Sequence, residues 1–164
     1  MTIDDLNSLD EEQFVAAIGW IFEDSPWVAE RAFETRPFAD IDSLHAAMTQ
    51  QVERATLAER RALLEAHPDL GARARLSEAS TEEQSSAGLD SLTPGEFDQL
   101  QRWNAAYRSR FGFPFLLAVK GSTKHDVLQA LRARMEATPE DEFREALRQV
   151  YRIARFRMEG LITS

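Results

Sequence analysis

The residues of this chain best suited to acid–base chemistry are three histidines, a glutamate–glutamine pair and one arginine set among apolar neighbours. Histidine is the side chain whose ordinary titration lies nearest neutrality. His45 continues the helical stripe of Ile41, Met48 and Val52 and reads as a packed, hydrogen-bonded core residue. His125 falls in the first turn of a polar helix start and reads as solvated. His67 follows the inward Leu63 and Leu64 and stands directly before Pro68. That places it at a helix C-terminus, where the negative end of the dipole stabilises a protonated imidazole. Two readings stand for it, a C-capping histidine and a proton donor or acceptor.

Arg157 is anomalous within its helix. On the last helical stretch Arg144, Arg148, Arg152 and Arg155 form an outer stripe suited to pairing with local acids. Arg157 instead has Val150, Ile153, Ala154 and Leu161 around it and turns inward. An inward guanidinium needs an anion or several acceptors. A structural carboxylate and a bound anionic ligand meet that need equally well. Glu83 either closes a capping box in Ser80-Thr81-Glu82-Glu83 or projects into a cleft with Gln84 as its neutral companion. The aromatic cluster Phe111-Gly112-Phe113-Pro114-Phe115 reads as a helix stop followed by core rings. Alternatively, Gly112 and Pro114 hold a non-helical backbone whose N–H groups can bind a ligand oxygen.

Other chemistries lack their residues. There is no cysteine, hence no disulfide, thiolate zinc site or cysteine nucleophile. The histidines lack the one-turn spacing of a helical metal motif, so no metal site is expected. No glycine-rich phosphate loop or Gly-x-Ser-x-Gly elbow occurs. A formal charge of −9 disfavours nucleic acid, whose phosphates need a basic face, and an anionic membrane surface. No apolar run approaches the roughly 20 residues of a membrane span. The acidic start Met1-Thr2-Ile3-Asp4-Asp5 is unlike a signal peptide, and Ile162-Thr163-Ser164 matches no targeting tripeptide. A cytoplasmic protein is expected.

The elements that must position these residues read as helices. Ser8-Leu9-Asp10-Glu11 has the form of a capping box opening a helix through Phe14, Ile18 and Ile21. Ser25-Pro26 predicts an N-cap followed by a proline at the first helical position, with the helix stopping before Pro37. Further helices are expected over about Asp42 to Arg54, from Thr56 to His67, from Ser80 to Gly88, and from Thr93 to Gly112. Two more start near Ser122-Thr123 and at Thr138-Pro139, the last reaching about Gly160. Only Phe113 to Val119 looks strand-like, and one strand has no partner. With 164 residues, the chain reads as a single all-α domain over 1–164, a bundle of about eight helices with short connections. Leu70 to Ser80 is its most irregular connection.

These segments together resemble the 2-oxo-4-hydroxy-4-carboxy-5-ureidoimidazoline (OHCU) decarboxylases of urate degradation. The resemblance is carried by Phe22-Glu23-Asp24-Ser25-Pro26-Trp27, His67-Pro68-Asp69-Leu70-Gly71, and Ser80 with Glu83-Gln84 and Ala87-Gly88-Leu89. It continues through Phe111-Gly112-Phe113-Pro114-Phe115 and Arg157-Met158, in the family's order and spacing over nearly the whole chain. It implies an all-helical, cofactor-free enzyme, usually a homodimer, that converts OHCU to (S)-allantoin with loss of carbon dioxide. It also implies His67, Glu83 and Arg157 as catalytic residues, and Pro68, Gln84, Phe113, Pro114 and Phe115 as contacts to a small anionic ureidoimidazoline. Eukaryotic members often end in a peroxisomal signal that this chain lacks, so the resemblance points to a bacterial, cytoplasmic member. The rivals are a non-catalytic helical binding module on the same scaffold and a decarboxylase of a related ureido heterocycle.

Overall fold

A computed structural model describes residues 1–71 and 77–163. These form nine α-helices and one 3-10 turn, with no strand among the described residues. The helices are α1 (Ile3–Ser8), α2 (Glu11–Ile18), α3 (Trp27–Phe33), α4 (Ile41–Glu53) and α5 (Leu57–Glu65). There follow α6 (Glu78–Ser86), α7 (Pro94–Phe111), α8 (Lys124–Arg134) and α9 (Pro139–Leu161). The 3-10 turn is Gly19–Ile21. The all-α expectation holds, with one short helix more than the sequence pattern suggests. No helix among the described residues is long and apolar enough to cross a membrane.

Local chemistry sets most of the helix starts. Thr56 with Glu59, Thr93 with Glu96 and Thr123 with Asp126 form the reciprocal pairs of capping boxes, and Pro94 opens α7. Gly112, at φ 82°, ends α7 in the left-handed conformation that a glycine adopts without strain. Three expected caps shift. The box assigned to Ser8 belongs to Asp10 and Gln13, because Thr2 and Asp5 start an earlier helix that takes in Ser8. Ser25 donates its hydroxyl to the Glu23 carbonyl at 2.8 Å, so Pro26 itself stands at the N-cap of α3. Ser77, not Ser80, caps α6 by accepting from the Ser80 N–H, which makes Glu83 an interior residue of that helix. The Phe113 to Val119 run is extended but joins no ladder among the described residues. The centre of the irregular connection, residues 72–76, lies outside the described residues.

The chain gathers into two compact units, one of Met1–Ala66 with Val150–Ser164 and one of His67–Gln149. In the first, α2 packs on α3 and α3 on α4, around Phe14, Ile18, Val28, Leu44, Met48 and Val52. Val150, Ala154 and Met158 complete its core. The outer arginines of α9 pair as expected, Arg144 with Asp141, Arg148 with Glu145 and Arg155 with Asp42 and Glu159.

The second unit is organised around buried Tyr107 of α7. Its ring sits edge-on to Phe113 and Phe115 and tilted against Phe111, with centroids 4.6 to 6.0 Å away. Its hydroxyl donates to Glu142, a carboxylate only 1% exposed that also receives the Arg134 guanidinium. Arg134 in turn donates to the Leu116 carbonyl and lies over the Phe115 ring. One polar network thus fixes the extended segment that follows α7. Burial, and then the bond to the Glu142 carboxylate, pushes the Tyr107 phenol well above its ordinary range, so it stays a donor. Replacing Glu142 by Leu leaves Arg134 without its counter-ion. The expected loss is about 3–5 kcal/mol in urea unfolding, with Tyr107→Phe costing about 1–3 kcal/mol.

Candidate active site

The chain leaves α5 at Ala66, and His67 follows as a buried side chain with 6% exposure. Pro68 and Asp69 are half-buried, and Leu70 and Gly71 are buried. On α6, Ser80, Glu83, Gln84 and Ala87 share one helical face by their spacing. Ser80, Gln84 and Ala87 are buried and Glu83 is half-buried. An inward helix face made of Ser, Glu and Gln is unusual, since core-facing stripes are ordinarily apolar. Gln84 ties this face to the histidine turn, its Oε1 accepting from the Gly71 N–H at 2.8 Å. That bond fixes the amide orientation and leaves Nε2 as its donor end. Ser80, part of the family pattern but not among the contacts named above, shares this buried face. Its one-turn spacing from Gln84 is the signal that points to it.

The Phe113-Pro114-Phe115 side chains are core. Phe113 is 2% and Phe115 0% exposed, and Phe113 also packs edge-on against Phe143. The burial of these two rings fits the core-ring reading. The Leu116 carbonyl accepts from Arg134 and the Ala118 N–H donates to Gln149. The N–H groups of Phe115, Leu116 and Leu117 have no protein acceptor among the described residues.

Arg157 belongs to the other unit. Its Nη2 meets Glu23 Oε2 at 2.9 Å, and Nη1 donates to the Trp20 and Ile21 carbonyls at 3.2 Å each. Both ends of the ion pair are about 95% buried. The structural-carboxylate reading thus has its carboxylate, and the sequence reading did not name Glu23 as that partner. Glu23 sits where the chain turns sharply, beside Asp24 at φ 44° and under the Ser25 hydroxyl. His45 is half-buried and its Nε2 lies 2.8 Å from the Tyr151 carbonyl, as a packed histidine should. His125 is exposed. Among the described residues no three His, Asp or Glu side chains gather as metal ligands.

Comparison with known proteins shows the family. The family model described as OHCU decarboxylase matches residues 7–159. The chain belongs to the OHCU decarboxylase family. A 2-oxo-4-hydroxy-4-carboxy-5-ureidoimidazoline decarboxylase of Haloferax volcanii is 46% identical over 100% of this chain and 98% of its own. That of Halalkalicoccus jeotgali is 44% identical, covering 98% of this chain and 92% of its own. A crystal structure of (S)-allantoin synthase superposes with a TM-score of 0.82 at 37% identity. It covers 99% of this chain, which spans about half, 54%, of that longer one. In this OHCU decarboxylase family member, the block around Glu23 and the block around Arg157 are joined by an ion pair. Glu23→Gln keeps the shape but strands a buried guanidinium. It should lower the unfolding free energy by about 3–5 kcal/mol, read by chemical denaturation.

Proposed function

We propose that this protein decarboxylates OHCU to (S)-allantoin without a cofactor, as a step of urate degradation. The observation that carries the reading is a buried histidine on a turn locked to the polar face of α6, in a chain of this family. OHCU bears its carboxylate on a carbon next to a ring C=N. When the bond to the carboxylate breaks, carbon dioxide leaves and the electron pair passes into that C=N. The substrate therefore supplies its own electron sink. One proton must then reach the ring carbon, and delivery from a single face makes the product chiral.

His67 is assigned the proton transfer. Glu83 and Gln84 orient the ring and ureido groups, with Gln84 Nε2 donating to a substrate oxygen. Pro68 restricts the backbone beside His67 and lines the same turn. The backbone N–H groups along Phe113-Pro114-Phe115 and just beyond offer neutral donors to developing negative charge, where preorganised dipoles act most strongly. The family pattern gives Arg157 an anion-anchoring role, while its Glu23 partner supports a structural one. Holding the departing carboxylate firmly would stabilise the ground state and slow the reaction. An Arg157 contact helps only if it strengthens as charge moves onto the ring. The usual family assembly, a homodimer, and a cytoplasmic setting are part of the same proposal.

Freshly generated OHCU decays spontaneously to racemic allantoin. The protein should accelerate the decay and give an enantiomeric excess in polarimetry. No acceleration and a racemic product would end the proposal. His67→Gln should fold normally and lose most of the turnover, about 100-fold or more. Turnover near that of the wild type would remove His67 from the mechanism. Arg157→Lys keeps the charge and loses the planar fork. A raised KM or lowered kcat at unchanged melting temperature supports anchoring, and a lowered melting temperature at unchanged rate supports the structural role.

A further inference from the structure

We propose that Asn104, in the middle of α7, is a positioning residue that sets the histidine turn. The proposal rests on the reading of His67 as the proton-transfer group.

Asn104 Nδ2 donates to the Leu70 carbonyl at 3.0 Å. Gln84 Oε1 accepts from the Gly71 N–H at 2.8 Å. The carbonyl of residue 70 and the N–H of residue 71 are the two ends of one planar peptide group. That peptide is therefore gripped from α7 at its oxygen and from α6 at its nitrogen, by side chains only 5% and 6% exposed. Neither grip belongs to a helix or sheet ladder.

The residues on either side of the peptide are held by the same face of α7. Leu100, Asn104 and Arg108 are successive turns of that helix. A Cβ on Gly71 would fall 2.4 Å from Leu100 Cδ2, so the backbone there approaches as closely as glycine allows. Gly71 also has φ 71°, which disfavours any other residue. Arg108 Nη2 meets Asp69 Oδ1 at 3.0 Å. Residues 71, 70 and 69 thus meet 100, 104 and 108 in reverse order, a short strap laid antiparallel along α7. Pro68, with its fixed φ, is the single link between the strap and His67. Holding the strap holds the backbone from which the imidazole projects.

Helix formation does not explain Asn104. Asparagine is a poor residue for a helix interior. Its Oδ1 is buried with no hydrogen-bond partner among the described residues, a cost that leucine would avoid at nearly the same volume. What the asparagine adds is the donor to Leu70.

The test compares wild type, Asn104→Leu and Asn104→Asp, with Gly71→Ala moving the same peptide from the other side. Each is assayed for kcat and KM on OHCU, for melting temperature, and for histidine titration by NMR. With three histidines in the chain, His45 and His125 serve as internal controls. The expected result for Asn104→Leu is a kcat lowered about 10-fold to 100-fold with KM within about twofold, since small misplacements of a catalytic group have that effect. The His67 titration should move while those of His45 and His125 stay. In a His67→Gln background, Asn104→Leu should remove nothing further from the residual rate. An unchanged His67 titration, or losses that multiply in the double variant, overturns the proposal and leaves Asn104 a packing residue. Should Asn104→Leu not fold, Asn104→Asp and Gly71→Ala carry the same comparisons. If wild type fails on OHCU, the functional reading fails, and the NMR arm still decides whether Asn104 sets the His67 turn.

Discussion

The peptide between Leu70 and Gly71 is the constraint on which the candidate site depends. A histidine just past a helix end has few backbone restraints of its own, because the intrahelical ladder has stopped at Ala66. Residues 67–71 belong to no helix, and this stretch must be fixed by side chains. Asn104 and Gln84 do this at the two ends of one peptide, and Leu100 excludes a Cβ at the next residue. The result is a loop held at a defined peptide three residues past His67, the kind of restraint that proton transfer to a single face of a small ring requires.

The same device recurs at larger scale in both units. Each seats one deeply buried carboxylate against an arginine, Glu142 with Arg134 in one and Glu23 with Arg157 in the other. In each case the arginine also binds main-chain carbonyls outside the α-helices: Leu116 for Arg134, and Trp20 and Ile21 of the 3-10 turn for Arg157. Replacing such pairs with apolar residues often leaves stability unchanged or raises it, so their value lies in fixing an irregular segment in one geometry. For Arg134 that segment is the run after α7, whose backbone donors the proposed chemistry uses.

What the sequence showed and what it hid follow from the range of the forces involved. Helix starts that rest on three or four adjacent residues were legible, as at Thr56, Thr93 and Thr123. They failed where two side chains competed for one start, Ser8 against Asp10 and Ser80 against Ser77, since both patterns satisfy the same local rule. The inward turn of Arg157 was legible from periodicity. Its partner was not, because Glu23 meets it only through the fold. Asn104 was invisible for the same reason. A lone polar residue on an exposed-looking helix gives no periodic signal, and the carbonyl it serves lies on a loop distant in sequence. The resemblance to the family named candidate site residues, but it could not tell how deeply the Phe113 and Phe115 rings are buried.

Charge is where the structure alters the argument most. The chain carries −9 and the proposed substrate is itself anionic, so long-range steering works against encounter. Arg157 would be the natural local counterweight, but its charge is already matched by Glu23 at 2.9 Å. The donors that the proposed chemistry draws on among the described residues are neutral: Gln84 Nε2 and the N–H groups of Phe115, Leu116 and Leu117. Neutral dipoles attract only at contact, and their preference grows with the charge density on the oxygen they meet. They therefore hold a resting carboxylate less strongly than an unopposed guanidinium would, and respond more to charge that arrives on the ring as carbon dioxide leaves. Donors whose pull grows as charge moves onto the ring favour the transition state over the resting carboxylate, which is the group the reaction must release.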